Sequence, residues 1–327
     1  MVQPATAQIL VVSLVLATAV LGGWYMVDAA RGDDPMQDRH LLKRGMDLPP
    51  LWIYVNDSEV NARYWKDFGA RSSRGVINIP FLNLCYQTCV RANGRAYRVE
   101  VIGGLSDLAV RLGGWAALPT PLQNPEAVVR EPELNWIRAA VLARWGGLWV
   151  SPATIWLRGI GALPKDRVAF FGSDDEVTFV GDAGTAAPSL RVAWSPAPAH
   201  PIWVNWEARV RERLEKRAGG SEFRRDEMSD AVQALQEAAA RGEPIEMRPT
   251  AELTRKGAAG RRIQLEDLLA AGTDGDIPFK VKGSAAYVPI PWPEIQERRA
   301  FGWFLRMSED QILDSDLVVS HILREVL

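Results

Sequence analysis

The strongest constraint on the fold is a repeating alternation of strand-length apolar runs and segments of helical period. "LWIYV" (51–55) is followed by the helical spacing of "IPFLNLCYQTCVRANG", which stops at Asn93-Gly94. "YRVEVIGG" (97–104) alternates as a strand does. "EPELNWIRAAVLARWGG" opens with Pro132 in a first-turn position and closes on glycine, the expected helix asymmetry. Its predicted apolar stripe is Leu134, Ile137, Val141 and Trp145. The strand Leu148-Trp149-Val150 follows at once, and Thr154 to Leu157 resumes it beyond Ser151-Pro152-Ala153. "VAFFG" (168–172) and "LRVAWS" (190–195) read as further strands. A helix is expected over 201–217, and another over "DEMSDAVQALQEAAARG", ending at Gly242. "AAYVPIP" (285–291) reads as a late edge strand, since proline confines it there. "SEDQILDSDLVVSHILREVL" closes the chain as one helical segment opened by Ser308. Strands alternating with helices predict an α/β domain with a mainly parallel sheet.

Composition narrows the function classes. Of 327 residues, 47% are apolar and 24% charged, with a net charge of −2. That is a globular balance with no basic face of the kind nucleic acid requires. Cys85 and Cys89, the only two cysteines, fall on one face of a predicted helix. A disulfide at that spacing would be strained and zinc would lack further ligands, so two buried free thiols are expected.

From Ile9 to Val27 the chain carries no formal charge, enough for a helix of about 28 Å at ~1.5 Å per residue. Trp24 and Tyr25 suit a membrane interface. Residues 1–27 are therefore expected to form a transmembrane anchor, residues 28–50 a polar tether and residues 51–327 the folded domain. Val27-Asp28-Ala29 offers a signal-peptidase alternative, but no basic residue precedes the apolar run. Arg31, Arg39, Lys43 and Arg44 follow the run, which favours a cytoplasmic domain and leaves the sequon at Asn56 unused.

The stretch "LNWIRAAVLARWGGLWVSPATIWLRGI" (134–160) resembles the signature of glycosyltransferases that carry a DxD motif, the group that includes capsular polysaccharide synthesis proteins. Arg138, Gly146, Gly147, Leu148 and Trp149 fit it position by position. The resemblance implies the GT-A fold, a Rossmann-like sheet that binds a nucleotide sugar, with a glycan or protein acceptor. It also implies donor-binding roles for Asn135, Arg138, Gly146, Gly147 and Ser151. Anchored proteins of this kind occur in large DNA viruses, which "PFLNLCYQT" resembles as well, so a virion membrane is a second expected location.

The departures from the signature are chemical. Asn135 stands where the family has an aspartate, and Ser151-Pro152-Ala153 stands where it has Asp-x-Asp. Mg²⁺ and Mn²⁺ need oxygen ligands, preferably charged, so no metal is expected at 151–153. Fixed cations can serve instead. Arg71 and Arg74 are the expected diphosphate contacts, and Arg138 is a further candidate unless it only pairs with Glu131 or Glu133 on the helix surface. Asp174 and Asp175 follow a predicted strand and would supply a base for the acceptor hydroxyl. The alternative expectation is a scaffold that keeps the fold without the chemistry. Hydrolase chemistry finds no support: there is no Gly-x-Ser-x-Gly elbow, and His40, His200 and His321 all have structural readings. Trp194, Trp203 and Trp206 would stack on sugar rings or, as most aromatics do, pack the core.

Overall fold

The computed structural model describes residues 47–56, 79–172, 179–180, 185–186, 188–218, 227–248, 263–272 and 285–327. Pro49–Leu327 form one compact unit. The apolar run 9–27 lies outside the described residues. Among the described residues no helix is long and apolar enough to cross a membrane.

The strands are β1 (Pro50–Val55), β2 (Arg98–Gly103), β3 (Gly147–Val150), β4 (Thr154–Trp156), β5 (Val168–Gly172), the short pair β6 (Phe179–Val180) and β7 (Thr185–Ala186), β8 (Pro188–Ser195), β9 (Ile245–Arg248) and β10 (Tyr287–Pro289). Six of them form the central sheet in the order β2-β1-β3-β8-β5-β9. β1 runs parallel to both β2 and β3, and β5 runs parallel to β9. β8 alone opposes its neighbours. The fold is thus mixed α/β with a mostly parallel sheet. β10 pairs antiparallel with β4 in a separate two-stranded sheet.

The period-2 alternation of the strands sends side chains to two cores. Leu51, Ile53, Val55, Leu148 and Val150 face one; Trp52, Tyr54 and Trp149 face the other. The first core is closed by α1 (Pro80–Asn93) and by residues of the last segment of the chain, including Tyr287, Trp292, Phe304 and Ile322. The second is closed by α2 (Gly104–Leu112), α3 (Glu131–Trp145), α4 (Pro201–Ala218) and α5 (Glu227–Ala240). Helices on both faces are what a parallel sheet requires, because it must be covered on both sides.

Two expectations need correction. α3 was expected to be amphipathic, with Leu134 and Trp145 on its buried stripe. Instead Trp136, Ile137, Ala139, Ala140, Val141 and Leu142 are all buried, and Leu134 and Trp145 are only half-buried. The reason is that α3 is wedged between the sheet and α4. The closing segment is also not one helix. Short α6 (Leu265–Leu269) and α7 (Trp292–Glu297) precede α8 (Glu309–Asp314) and α9 (Val318–Val326). Ser308 does cap α8, accepting from the Gln311 amide at 3.2 Å. The chain then leaves the helix so that Leu317 can bridge to Ala271, with the Gly272 amide donating to the Asp316 carbonyl.

Candidate functional site

In open α/β sheets ligands sit beyond the carboxyl ends of the strands, where the strand order reverses. Here β2 lies on one side of β1 and the chain then returns to place β3 on the other. The reversal falls between β1 and β3, whose carboxyl ends are Val55-Asn56 and Val150-Ser151. The turn Ser151-Pro152-Ala153 therefore occupies the place where a ligand is expected.

The turn is held on three sides. The Ser151 amide donates to the Arg191 carbonyl at 2.8 Å, and the Ile290 amide donates to the Ala153 carbonyl at 3.0 Å. The Thr154 hydroxyl donates to the Ser151 carbonyl at 2.9 Å. With the Ser151 amide engaged and Pro152 having none, the first two residues of the turn offer no backbone donor to a phosphate. Ser151 is half-buried, and Ala153 is fully buried within the first core. A residue in that position faces apolar side chains, which suits alanine and opposes a carboxylate.

Asn135 and Arg138 lie on α3 above the other core. Both are buried, and the Arg138 guanidinium donates to the Asn135 side-chain carbonyl at 3.1 Å. It stands 5.7 Å from the Trp149 ring and 3.8 Å from Glu131. Arg138 is thus no surface ion pair: only 3% of its side chain is accessible. The Asn135 side-chain amide nitrogen finds no hydrogen-bond partner among the described residues. The Glu133 carboxylate turns back to accept from the Arg130 amide at 3.0 Å, which caps α3.

Gly146 and Gly147 sit at the opposite end of β3, with Gly147 about 13 Å from Ser151 at ~3.3 Å per residue. Both have positive φ, 64° and 94°. A β-carbon on Gly147 would stand 2.4 Å from the Pro50 carbonyl oxygen, and one on Gly146 would stand 2.8 Å from Ala197. The Gly146 carbonyl also accepts from the Trp52 indole at 2.8 Å. Backbone crowding thus accounts for the glycine pair.

Arg71, Arg74, Asp174 and Asp175 lie outside the described residues. Trp203 and Trp206 are buried with rings stacked 5.2 Å apart, and Trp194 donates to the Pro164 carbonyl at 2.7 Å. All three pack the core rather than line a groove. Cys85 and Cys89 are buried free thiols. His200 precedes α4, and His321 lies 3.2 Å from Asp316. No group of three or more metal-ligating side chains occurs among the described residues.

Arg191 is the polar residue of this region that sequence reasoning missed. It is half-buried on β8, opposite the turn, and its guanidinium donates to the Ile290 carbonyl at 3.0 Å. Its signal was a lone charge inside a strand pattern.

No protein-family model matches this chain, and no curated protein matches it.

Proposed function

We propose that the chain is a membrane-anchored protein with a GT-A-type sheet that binds a nucleotide sugar and passes the sugar to a glycan or protein acceptor, with no metal at 151–153. The observation that carries this reading is the placement of Ser151-Pro152-Ala153 at the point where the strand order reverses. The buried pair Asn135 and Arg138, on the helix leading into β3, supports it as the donor-binding group. In the reaction the bond from the sugar's anomeric carbon to the diphosphate oxygen breaks, and its electron pair leaves with the diphosphate. The acceptor oxygen bonds to that carbon and its proton passes to a carboxylate, for which Asp174 and Asp175 are the candidates. Charge on the leaving group then falls to fixed cations, with Arg71 and Arg74 the candidates from the sequence.

A second reading, a scaffold with the same sheet and no catalysis, is favoured by one observation: the Ala153 side chain is absorbed into the core. Thermal melts of the full chain in detergent with UDP- and GDP-sugars separate the two. The enzyme reading expects at least one nucleotide to raise the midpoint equally in Mn²⁺ and in EDTA. No shift across the panel would favour the scaffold.

A further inference from the structure

We infer that Arg191 is the diphosphate-binding cation of this site, standing where a metal ion would otherwise meet the leaving group. The inference rests on the nucleotide-sugar reading above and names a residue that neither the sequence nor the resemblance pointed to.

Because β8 opposes the other strands, its first residues lie at the carboxyl ends of β3 and β5. Val150 pairs with Val192, and the next contact outward is the Ser151 amide on the Arg191 carbonyl at 2.8 Å. Arg191 is thus attached by its backbone to the turn itself. Its side chain extends to the Ile290 carbonyl at 3.0 Å, and the Ile290 amide donates in turn to the Ala153 carbonyl at 3.0 Å. The guanidinium and the turn therefore share one anchor, the residue that follows β10. The Arg191 backbone is hydrogen-bonded to Ser151, and its guanidinium is hydrogen-bonded to Ile290, the residue whose amide holds Ala153.

The chemistry of the turn calls for such a group. Ser151 supplies one neutral hydroxyl, Pro152 no amide and the Ala153 side chain only a buried methyl, so none of the turn's own side chains brings a positive charge to an anion there. A guanidinium cannot lose its charge near neutral pH and presents five N–H donors in a planar fork that matches phosphate oxygens. Arg191 is half-buried, so part of the residue remains open to solvent.

Calorimetry on the full chain in detergent micelles, with UDP and GDP beside uridine and guanosine, tests the assignment. The wild type is expected to bind one diphosphate more tightly than its nucleoside. Arg191→Ala should lower the diphosphate affinity by roughly 10- to 100-fold, the range for a charged hydrogen bond, and leave nucleoside affinity unchanged. Arg191→Lys should recover part of the loss, because the charge returns without the fork. An equal loss for nucleoside and diphosphate in both variants would mean a structural role and overturn the assignment. So would undiminished diphosphate affinity in Arg191→Ala, while leaving the nucleotide reading intact. If the wild type binds no nucleotide or nucleoside, it is that reading which falls, and Arg191 falls with it.

Discussion

The two ends of β3 are built on different principles. At its start Gly146 and Gly147 are fixed by sterics: positive φ, the Pro50 carbonyl on one side and the chain at Ala197-Pro198 on the other. At its end Ser151-Pro152-Ala153 is fixed by hydrogen bonds to Arg191 and Ile290, with Ala153 buried and Ser151 half-buried. The first end tolerates only the residue with no side chain. The second can change its chemistry as long as the buried position stays apolar. A signature that spans both ends therefore mixes two kinds of constraint, one steric and one set by hydrogen bonds and burial.

The largest effect should come from the start of the strand. Gly147→Ala places a methyl against the Pro50 carbonyl at a φ that alanine disfavours, and should cost at least about 3 kcal/mol in urea unfolding. A loss under about 1 kcal/mol would show that β1 and β3 can separate there, and would break the contrast.

Next comes the buried position of the turn. Ala153→Asp should cost about 2–4 kcal/mol at neutral pH, because a carboxylate enters an apolar core. Burial would raise its folded pKa above the unfolded value of about 3.9. The penalty is thus least below pH 4 and grows as pH rises through the range between the two values. Ser151→Asp, half-buried at the same turn, should cost less than about 1 kcal/mol. Equal costs for the two would erase the distinction between the buried and half-buried positions. The contrast also explains why restoring both acids would not simply restore a metal site: one of the two would have to leave the core first.

The smallest effect concerns the loop that crowds Gly146. Burial holds the His200 imidazole below its ordinary pKa of 6.5, with Glu243 opposing, and its Nδ1 accepts from the Ile202 amide at 3.4 Å. The neutral ring is the one favoured in the folded chain, so this contribution is present above about pH 6.5 and fades as pH falls below it. Solvent screens a half-buried ring, so the difference should stay under about 0.5 kcal/mol. Melts of the wild type and His200→Gln at pH 5 and pH 7.5 should converge at the lower pH and separate slightly at the higher one. The opposite trend would place the charged ring in a favourable contact.

The sequence made the framework of this site legible because the framework is local. A helix closed by glycine and followed at once by an apolar strand writes its period and its punctuation into neighbouring residues, and α3 and β3 form where they were expected. What escaped depended on partners distant in the chain. The break between α8 and α9 is set by Ala271 and Gly272, which draw Leu317 and Asp316 out of a pattern that reads as continuous helix. α2 begins directly after β2 at Gly103-Gly104, with no Ser, Thr, Asp or Asn at its N-cap; the Asp107 carboxylate instead reaches back to accept from the Gly103 amide at 3.0 Å. The burial of α3 on most of its sides depends on α4, more than fifty residues later. Arg191 was hidden for the same reason: its place opposite Ser151 follows from the reversed direction of β8, which no local pattern encodes.

The two thiols of α1 give the molecule an internal clock. Cys85 and Cys89 lie under the helix face that covers the first core, and burial drives both thiols upward, Cys89 to about 12. The thiolate is the nucleophile toward thiol reagents, so buried and held as thiols these two sulfurs are unreactive at neutral pH in the folded protein. Modification must wait for α1 to lift. That helix is tied to the last segment of the chain by the Asn83 and Gln87 amides, which donate to Glu309 at 2.7 and 3.2 Å. The rate at which these sulfurs are consumed therefore reports the opening of the cover over them: its frequency where the reagent outpaces reclosing, and the open population where it does not.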